Sequence, residues 1–260
     1  MMRLPKLTRP KLDEVKTYFS DVFWGAKDSG LILGLARLIF DRVAEGAHFA
    51  DNLLTWGRNN SMLDDEPFVR IFLENAESGP DRAIIWRRYI LATMAYHAVQ
   101  LDGDFVECGC YTGVGMKTVM DYLGGVDFPR LYWGYDIFEN GGVVSYESSE
   151  HGPDLHGKVL AKFAAYPQVR IIKGAIPEAF AQGMPERISF LHIDLNNVEG
   201  EIAALEALFD RVVPGGTIIL DDYEWAMKYR PQKLAEDEWL DARGYRVVPL
   251  PTGQGFLIKR

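Results

Sequence analysis

Carboxylates stand at the ends of apolar runs in four places along this sequence. RISFLHIDLNNVEG (187–200) runs as a buried strand to Asp194, and GTIILDDYEW (216–225) reaches Asp221 and Asp222. Earlier, DFVEC (104–108) carries Glu107 into the glycine-rich ECGCYTGVG, and LYWGYD (131–136) ends on Asp136. Glycines such as Gly109, Gly113 and Gly115 let a backbone turn tightly and approach a ligand closely. An acid two residues before the first of them suits a ligand with an ammonium group. A carboxylate at the end of the second strand can accept both hydroxyls of a ribose. Each feature also has a plainer reading: turn glycines, Asp136 as a helix cap or solvated turn, and Asp221 or Asp222 as a cap of the following helix.

These residues need elements to hold them. From about residue 103 onward, short apolar runs alternate with helical ones: DFVEC, LYWGYD, VRIIKG, ISFLHID and GTIILDD, each followed by a helix-forming stretch. Runs this uniformly apolar are strands covered on both faces, so the alternation predicts an α/β architecture with a parallel sheet between helices. In such sheets ligands gather at the carboxyl ends of the strands, which is where the acids lie. YRVVPL (245–250) and GFLIKR (255–260) are separated only by PTGQ, too short for a helical crossover, so they form an antiparallel hairpin. Residues 1–100 read as a helical region or lid: GLILGLARLIFDRVAEGAHFADNLLTW has helical spacing, and AIIWRRYILATMAYHAVQ is a strong amphipathic helix.

The composition is that of a globular protein, 48 % hydrophobic and 25 % charged. A net charge of −9 disfavours nucleic acid as a partner. Cys108 and Cys110 are two apart on one strand, poorly placed to bridge, and read as free thiols of a reducing compartment. The N-terminal MMRLPKLTRPKLDEV lacks the apolar core of a signal peptide, and no run is long enough for a bilayer. A cytoplasmic location without membrane insertion is the expectation.

The glycine loop followed by Asp136 fits a nucleoside-containing cofactor, either NAD or S-adenosylmethionine. The spacing G-x-x-x-G-x-G departs from the dinucleotide fingerprint G-x-G-x-x-G. The terminal hairpin is a feature of S-adenosylmethionine-dependent methyltransferases. GDFVECGCYTGVG, YDIFEN, FLHID and PGGTIILDDY, in that order, resemble the macrocin and mycinamicin sugar O-methyltransferase family over roughly residues 100–260, with LPTGQGFLIK similar to bacterial members of the broader group. The resemblance implies a Rossmann-like class I methyltransferase domain over 101–260 that binds S-adenosylmethionine through Glu107, Gly109, Tyr111, Gly113, Gly115, Asp136, Gly174 and Asp194. It further implies a divalent metal, magnesium in most members, on Asp194, Asp221 and Asp222. Oxygen ligands of that kind suit a hard cation.

One departure bears on catalysis. The family commonly reads D-G-D after the fourth strand, with the second aspartate as general base, whereas this chain has Asp194-Leu195-Asn196. Asn196 cannot take a proton. Either another group serves as base, with Glu199 a nearby candidate and equally a first-turn helix acid, or the implied metal acidifies the hydroxyl enough for water to take the proton. The catalytic group is therefore read as Asp194, Asn196 and Glu199, acting on a small-molecule acceptor, a sugar hydroxyl by resemblance. A catechol or phenol O-methyltransferase and a non-catalytic S-adenosylmethionine-binding homologue are the rival readings. His192 reads as a core residue, His151 and His156 as part of a lid loop or a solvated surface. Tyr223 and Trp225 read as stacking or packing aromatics, and the helical region as a homo-oligomer interface.

Overall fold

The computed structural model describes residues 5, 15–139 and 151–260. Most of the N-terminal stretch read for a leader, and residues 140–150 of the expected lid loop, lie outside the described residues. No helix among the described residues is long and apolar enough to cross a membrane.

Among the described residues the first elements are β1 (Tyr18–Phe19), α1 (Ser29–Val43), β2 (His48–Ala50) and β3 (Leu53–Thr55). It continues through α2 (Ser61–Asp64), α3 (Glu66–Asn75), α4 (Gly79–Arg82) and α5 (Ile85–Ala98). Helical spacing gives α1, capped by Asp28, whose Oδ1 accepts from Leu31 N at 2.8 Å. The spacing misleads beyond it. HFADNLLT forms an antiparallel hairpin, not a continuing helix, with β1 laid parallel beside β2. Its turn residues Asp51 and Asn52 take φ of 54° and 51°. Two left-handed residues between strands make the tight turn that matches strand twist, and Asp and Asn adopt that conformation at low cost.

That small hairpin organises α5. The helix has no capping side chain of its own at Ile84. Asp51, fully buried, supplies one from outside: its Oδ1 accepts from Arg87 N at 2.9 Å and its Oδ2 from Trp86 N at 3.1 Å. His48 Nε2 lies 3.1 Å from the same Oδ2. Asp51→Ala leaves two buried amides without an acceptor and is expected to cost about 2 kcal/mol. Asp51→Asn, which keeps one acceptor oxygen, should cost less. Urea midpoints of the three proteins check this, and equal midpoints for wild type and the alanine variant would refute it.

The main sheet follows, as β4 (Asp104–Cys108), α6 (Val114–Tyr122), β5 (Tyr132–Asp136), α7 (Leu155–Lys162), β6 (Val169–Lys173) and β7 (Ile188–Ile193). Then come α8 (Val198–Leu208), β8 (Val212–Leu220), α9 (Arg230–Asp241), β9 (Val248–Pro249) and β10 (Gly255–Ile258). The strand order is β6-β5-β4-β7-β8-β10-β9. The first five strands are parallel, and β10 runs antiparallel to both β8 and β9, which is the hairpin that the short PTGQ connection requires.

Alternation along the strands divides the core in two. Phe105, Tyr132, Phe190 and Ile219 point to one face and pack with α3, α5 and α6 through Phe68, Leu91 and Met116. Val106, Leu191, Ile193, Ile218 and Leu220 point to the other and pack with Leu205 and Leu208 of α8. The N-terminal helices α3 and α5 thus complete the first of these cores. Helix α1 instead shows solvent an apolar stripe of Leu31, Leu35, Leu38 and Ile39.

Candidate functional site

On the face shared with α5 and α6, side chains turn from apolar to polar toward the carboxyl ends of the strands. Phe105 gives way to Glu107, Phe190 to His192, and Ile219 to Asp221, each two residues on and so on the same face. Register pairs Glu107 with His192 and with Gly134, and His192 with Ile219. The ladder also runs one step past the strand ends, for Asp194 N donates to Cys108 O at 2.8 Å and Asp221 N to Ile193 O at 2.9 Å. The polar ends of three strands, β4, β7 and β8, therefore meet in one place.

The glycine loop between β4 and α6 is folded tightly against its neighbours. Gly109 (φ 92°) lies so close to β7 that a Cβ there would stand 1.9 Å from Asp194 O. Gly113 (φ 76°) starts α6, and Tyr111 holds φ 48° between them. Asp136 braces this loop: its Oδ2 accepts from Tyr111 N and its Oδ1 from Phe138 N, both at 2.7 Å. Gly174 is tied to the same residue, donating to Asp136 O at 2.9 Å. Glu107, buried, accepts from the Tyr132 hydroxyl at 3.0 Å. A Cβ on Gly115 would meet Arg88 Nη1 at 2.5 Å and Glu107 Oε1 at 3.2 Å, so the absent side chain makes room for a guanidinium and a carboxylate side by side.

The three aspartates do come together, and with them a residue that sequence inspection passes over. Arg87 of α5 is buried, and its Nη2 pairs with Asp221 Oδ2, with Asp222 Oδ1 at 3.1 Å and with Asp221 O at 2.6 Å. Its guanidinium lies 5.7 Å from the Trp225 ring. The other oxygen of Asp221 accepts from Gln254 Nε2 at 2.7 Å and faces His192 Nε2 at 3.2 Å. His192 is completely buried, with its Nδ1 3.5 Å from Glu107 Oε2. It is a core residue that also links the glycine-loop acid to the aspartate cluster.

The charges explain one another. Burial alone would lower the basicity of Arg87, but Asp221, Asp222 and Asp194 hold it fully charged. Burial likewise opposes a charged His192, and Glu107 with Asp221 overcomes it, raising the imidazole to about 10. Against its own burial, Asp221 is held well below the usual carboxylate range by Arg87 and His192. Burial pushes Asp222 up, Arg87 working against it. Half-buried Asp194 is pushed well above the ordinary value by burial and then by Asp221 and Asp222.

The remaining expected residues separate clearly. Asn196 (φ 61°) donates from Nδ2 to Asp194 Oδ1 at 3.0 Å and accepts from the Tyr229 hydroxyl at 2.8 Å, so it orients the aspartate. Glu199 is exposed on the first turn of α8. The acid that turns inward is Glu201, completely buried, whose Oε1 accepts from Leu195 N at 2.8 Å. Its Oε2 and both carboxylate oxygens of the equally buried Glu236 have no hydrogen-bond partner among the described residues. Burial and then Glu236 push Glu201 well up, and burial raises Glu236 to about 7. Tyr223 packs into the core, while Trp225 stands against Arg87 and Trp24. Cys108 and Cys110 are free and buried, and burial pushes both thiols well up.

Could the aspartates hold the metal that the family resemblance implies? His192, Asp194 and Asp221 each offer an atom within 4.8 Å of the others. A divalent cation needs several free oxygen lone pairs and an open approach. Here Asp221 has both oxygens engaged, Asp222 meets a guanidinium and Asp194 Oδ1 is taken by an amide. With Arg87 in place, the donor set does not fit a magnesium ion.

Residues 89–243, more than half of the chain, match the family described as Macrocin-O-methyltransferase (TylF). A protein of Streptomyces olivaceus, 8-demethyl-8-(2,3-dimethoxy-alpha-L-rhamnosyl)-tetracenomycin-C 4'-O-methyltransferase, is 30% identical over 144 residues, covering 47% of this chain and 54% of that protein. The chain thus spans about half the length of this curated relative. Among solved structures, the O-methyltransferase NovP superposes with a TM-score of 0.58 at 19% identity, over 68% of this chain and 81% of its own. The calicheamicin methyltransferase CalS11 gives 0.50 at 17%, over 75% and 92%. At those identities the likeness shows the fold, a Rossmann-like methyltransferase sheet. With the family match, it follows that the chain belongs to the macrocin O-methyltransferase family.

Proposed function

We propose that the protein transfers a methyl group from S-adenosylmethionine to a hydroxyl of a sugar ring. The observation that carries this reading is that Glu107 and Arg88 both reach the space left open by Gly115, beside a loop braced by Asp136. An amino acid zwitterion needs one group of each sign, so Glu107 takes the methionyl ammonium and Arg88 its carboxylate. Arg88 Nε is buried and has no hydrogen-bond partner among the described residues. Asp136 uses one lone pair of each oxygen on backbone amides, which leaves others for the ribose hydroxyls. Gly109, Tyr111, Gly113, Gly115 and Gly174 supply the close backbone surface.

When bound, S-adenosylmethionine would supply a methyl carbon activated by its sulfonium for transfer to an acceptor oxygen, and the freed sulfur would keep the electron pair. The hydroxyl proton would pass to Asp194, whose Oδ1 is held by Asn196 Nδ2. Neither Asn196, an amide, nor Glu199, turned to solvent, fills that role. The acceptor class rests on the named sugar substrate of the Streptomyces olivaceus relative. A homo-oligomer would form on the exposed apolar stripe of α1.

Calorimetric titration with S-adenosylhomocysteine tests the cofactor site. Wild type is expected to bind, and Glu107→Gln and Arg88→Gln should each weaken binding by about tenfold or more. Absence of binding by the wild type would sink the proposal. An acceptor screen then sets sugars against catechols, and methylation of planar catechols alone would reassign the acceptor.

A further inference from the structure

We propose that Arg87 is a built-in cation that occupies the place of a divalent metal between Asp194, Asp221 and Asp222, so that this site works without one. Arg87 arrives from α5, whose first turn is fixed by the buried Asp51 cap, so the guanidinium is carried by a rigid element. It meets three oxygens, two of them carboxylate oxygens from adjacent residues and one the backbone carbonyl between them. Its side chain is 8 % exposed, and those of Asp221 and Asp222 are 11 % and 10 % exposed.

A guanidinium cannot shed its charge to make way for another cation. A divalent ion would have to be desolvated beside that fixed charge, or would have to drive Arg87 from a pocket where it also lies against Trp225. The oxygens a metal would need are already engaged: Arg87 bonds Asp221 and Asp222, Gln254 and His192 face Asp221, and Asn196 holds Asp194 Oδ1. The consequence for chemistry is specific. A guanidinium donates hydrogen bonds and offers no coordination position, so Arg87, whose Nη2 bonds go to Asp221 and Asp222, does not act as a Lewis acid on an acceptor hydroxyl as a metal would. It is a positioning residue: it holds the aspartate pair and leaves proton removal to Asp194. As regards turnover this rests on the methyl-transfer reading; as regards metal binding it stands apart from it.

The test is a titration of the full-length protein with manganese(II), followed by the electron paramagnetic resonance signal of the free ion, alongside methyl transfer in chelator and in magnesium. Wild type is expected to show no saturable one-to-one site, and its turnover to stay within about twofold with chelator. Arg87→Gln removes the charge while keeping an amide, and is expected to gain a one-to-one manganese site that the double variant with Asp194→Asn lacks. A merely structural role for Arg87 predicts no such gain, so a folded Arg87→Gln protein that binds no manganese overturns the proposal. A wild-type site abolished by Asp194→Asn overturns it as well, as does turnover that falls tenfold in chelator and returns with magnesium. Should Arg87→Gln fail to fold, the wild-type titration decides. Should no methyl transfer occur, the failure belongs to the proposed activity, and the manganese titration still decides the place of Arg87.

Discussion

Gly109→Ala is expected to destroy the folded state at the carboxyl edge of the sheet, costing more than about 4 kcal/mol, a range that severe backbone strain reaches. The added Cβ would stand 1.9 Å from Asp194 O and 2.6 Å from its carbonyl carbon. Both are backbone atoms, so no side-chain rotation relieves the contact. Nor can β7 retreat, because Asp194 N is bonded to Cys108 O and Asp221 N to Ile193 O. The φ of 92° adds strain that an L residue does not accept. A control lies nearby: Gly157, exposed within α7, has nothing within 4 Å of the place a Cβ would take. Gly157→Ala should stabilise by about 0.5–1 kcal/mol through helix propensity. Urea denaturation of the two variants separates the cases. A Gly109→Ala protein with a wild-type midpoint would mean that the loop can leave β7, and the close approach would lose its meaning.

Most of the sheet can be read from local sequence because each strand announces itself within a few residues. ISFLHI and TIIL are apolar on both faces, and the structure covers both faces. The acids at the strand ends are legible for the same reason, since a carboxylate after such a run has to lie at the carboxyl edge. Contacts across long sequence separations are not legible in that way. Arg87 pairs with Asp221 across 134 positions. A signal is present, for Arg87 shares the buried face of α5 with Leu91, Ala95 and Ala98. Burial of a cation demands a partner, but periodicity cannot say which one. The same holds for Glu201, which lies on the face of α8 that buries Ala204, Leu205 and Leu208, while Glu199, chosen for its nearness to Asp194 in sequence, points outward. The hairpin of β2 and β3 is obscured differently: its apolar residues continue the spacing of α1, and only Asp51-Asn52 marks the turn.

Glu236→Gln should make the protein more stable than wild type at pH 8 and leave it nearly unchanged at pH 5. Glu236 lies on α9, completely buried against Glu201 of α8, with Gln232, Lys233 and Asp237 beside it on its own helix and Asp222 acting from the end of β8. Burial raises its carboxyl from 4.5 to about 7, with Asp237 and Asp222 adding to the rise and Gln232 and Lys233 opposing it. The sign follows from proton counting. Between those two values the folded protein holds a proton that the unfolded chain has released, so stability falls as pH rises through this window and the loss is complete above about 7. The shift corresponds to about 3 kcal/mol. Glutamine keeps the shape and the hydrogen-bonding capacity without the titration, so the variant escapes the loss. Urea midpoints at pH 5 and pH 8 read the difference directly. Equal offsets between variant and wild type at both pH values would show that Glu236 ionises in the folded protein as it does in the unfolded chain.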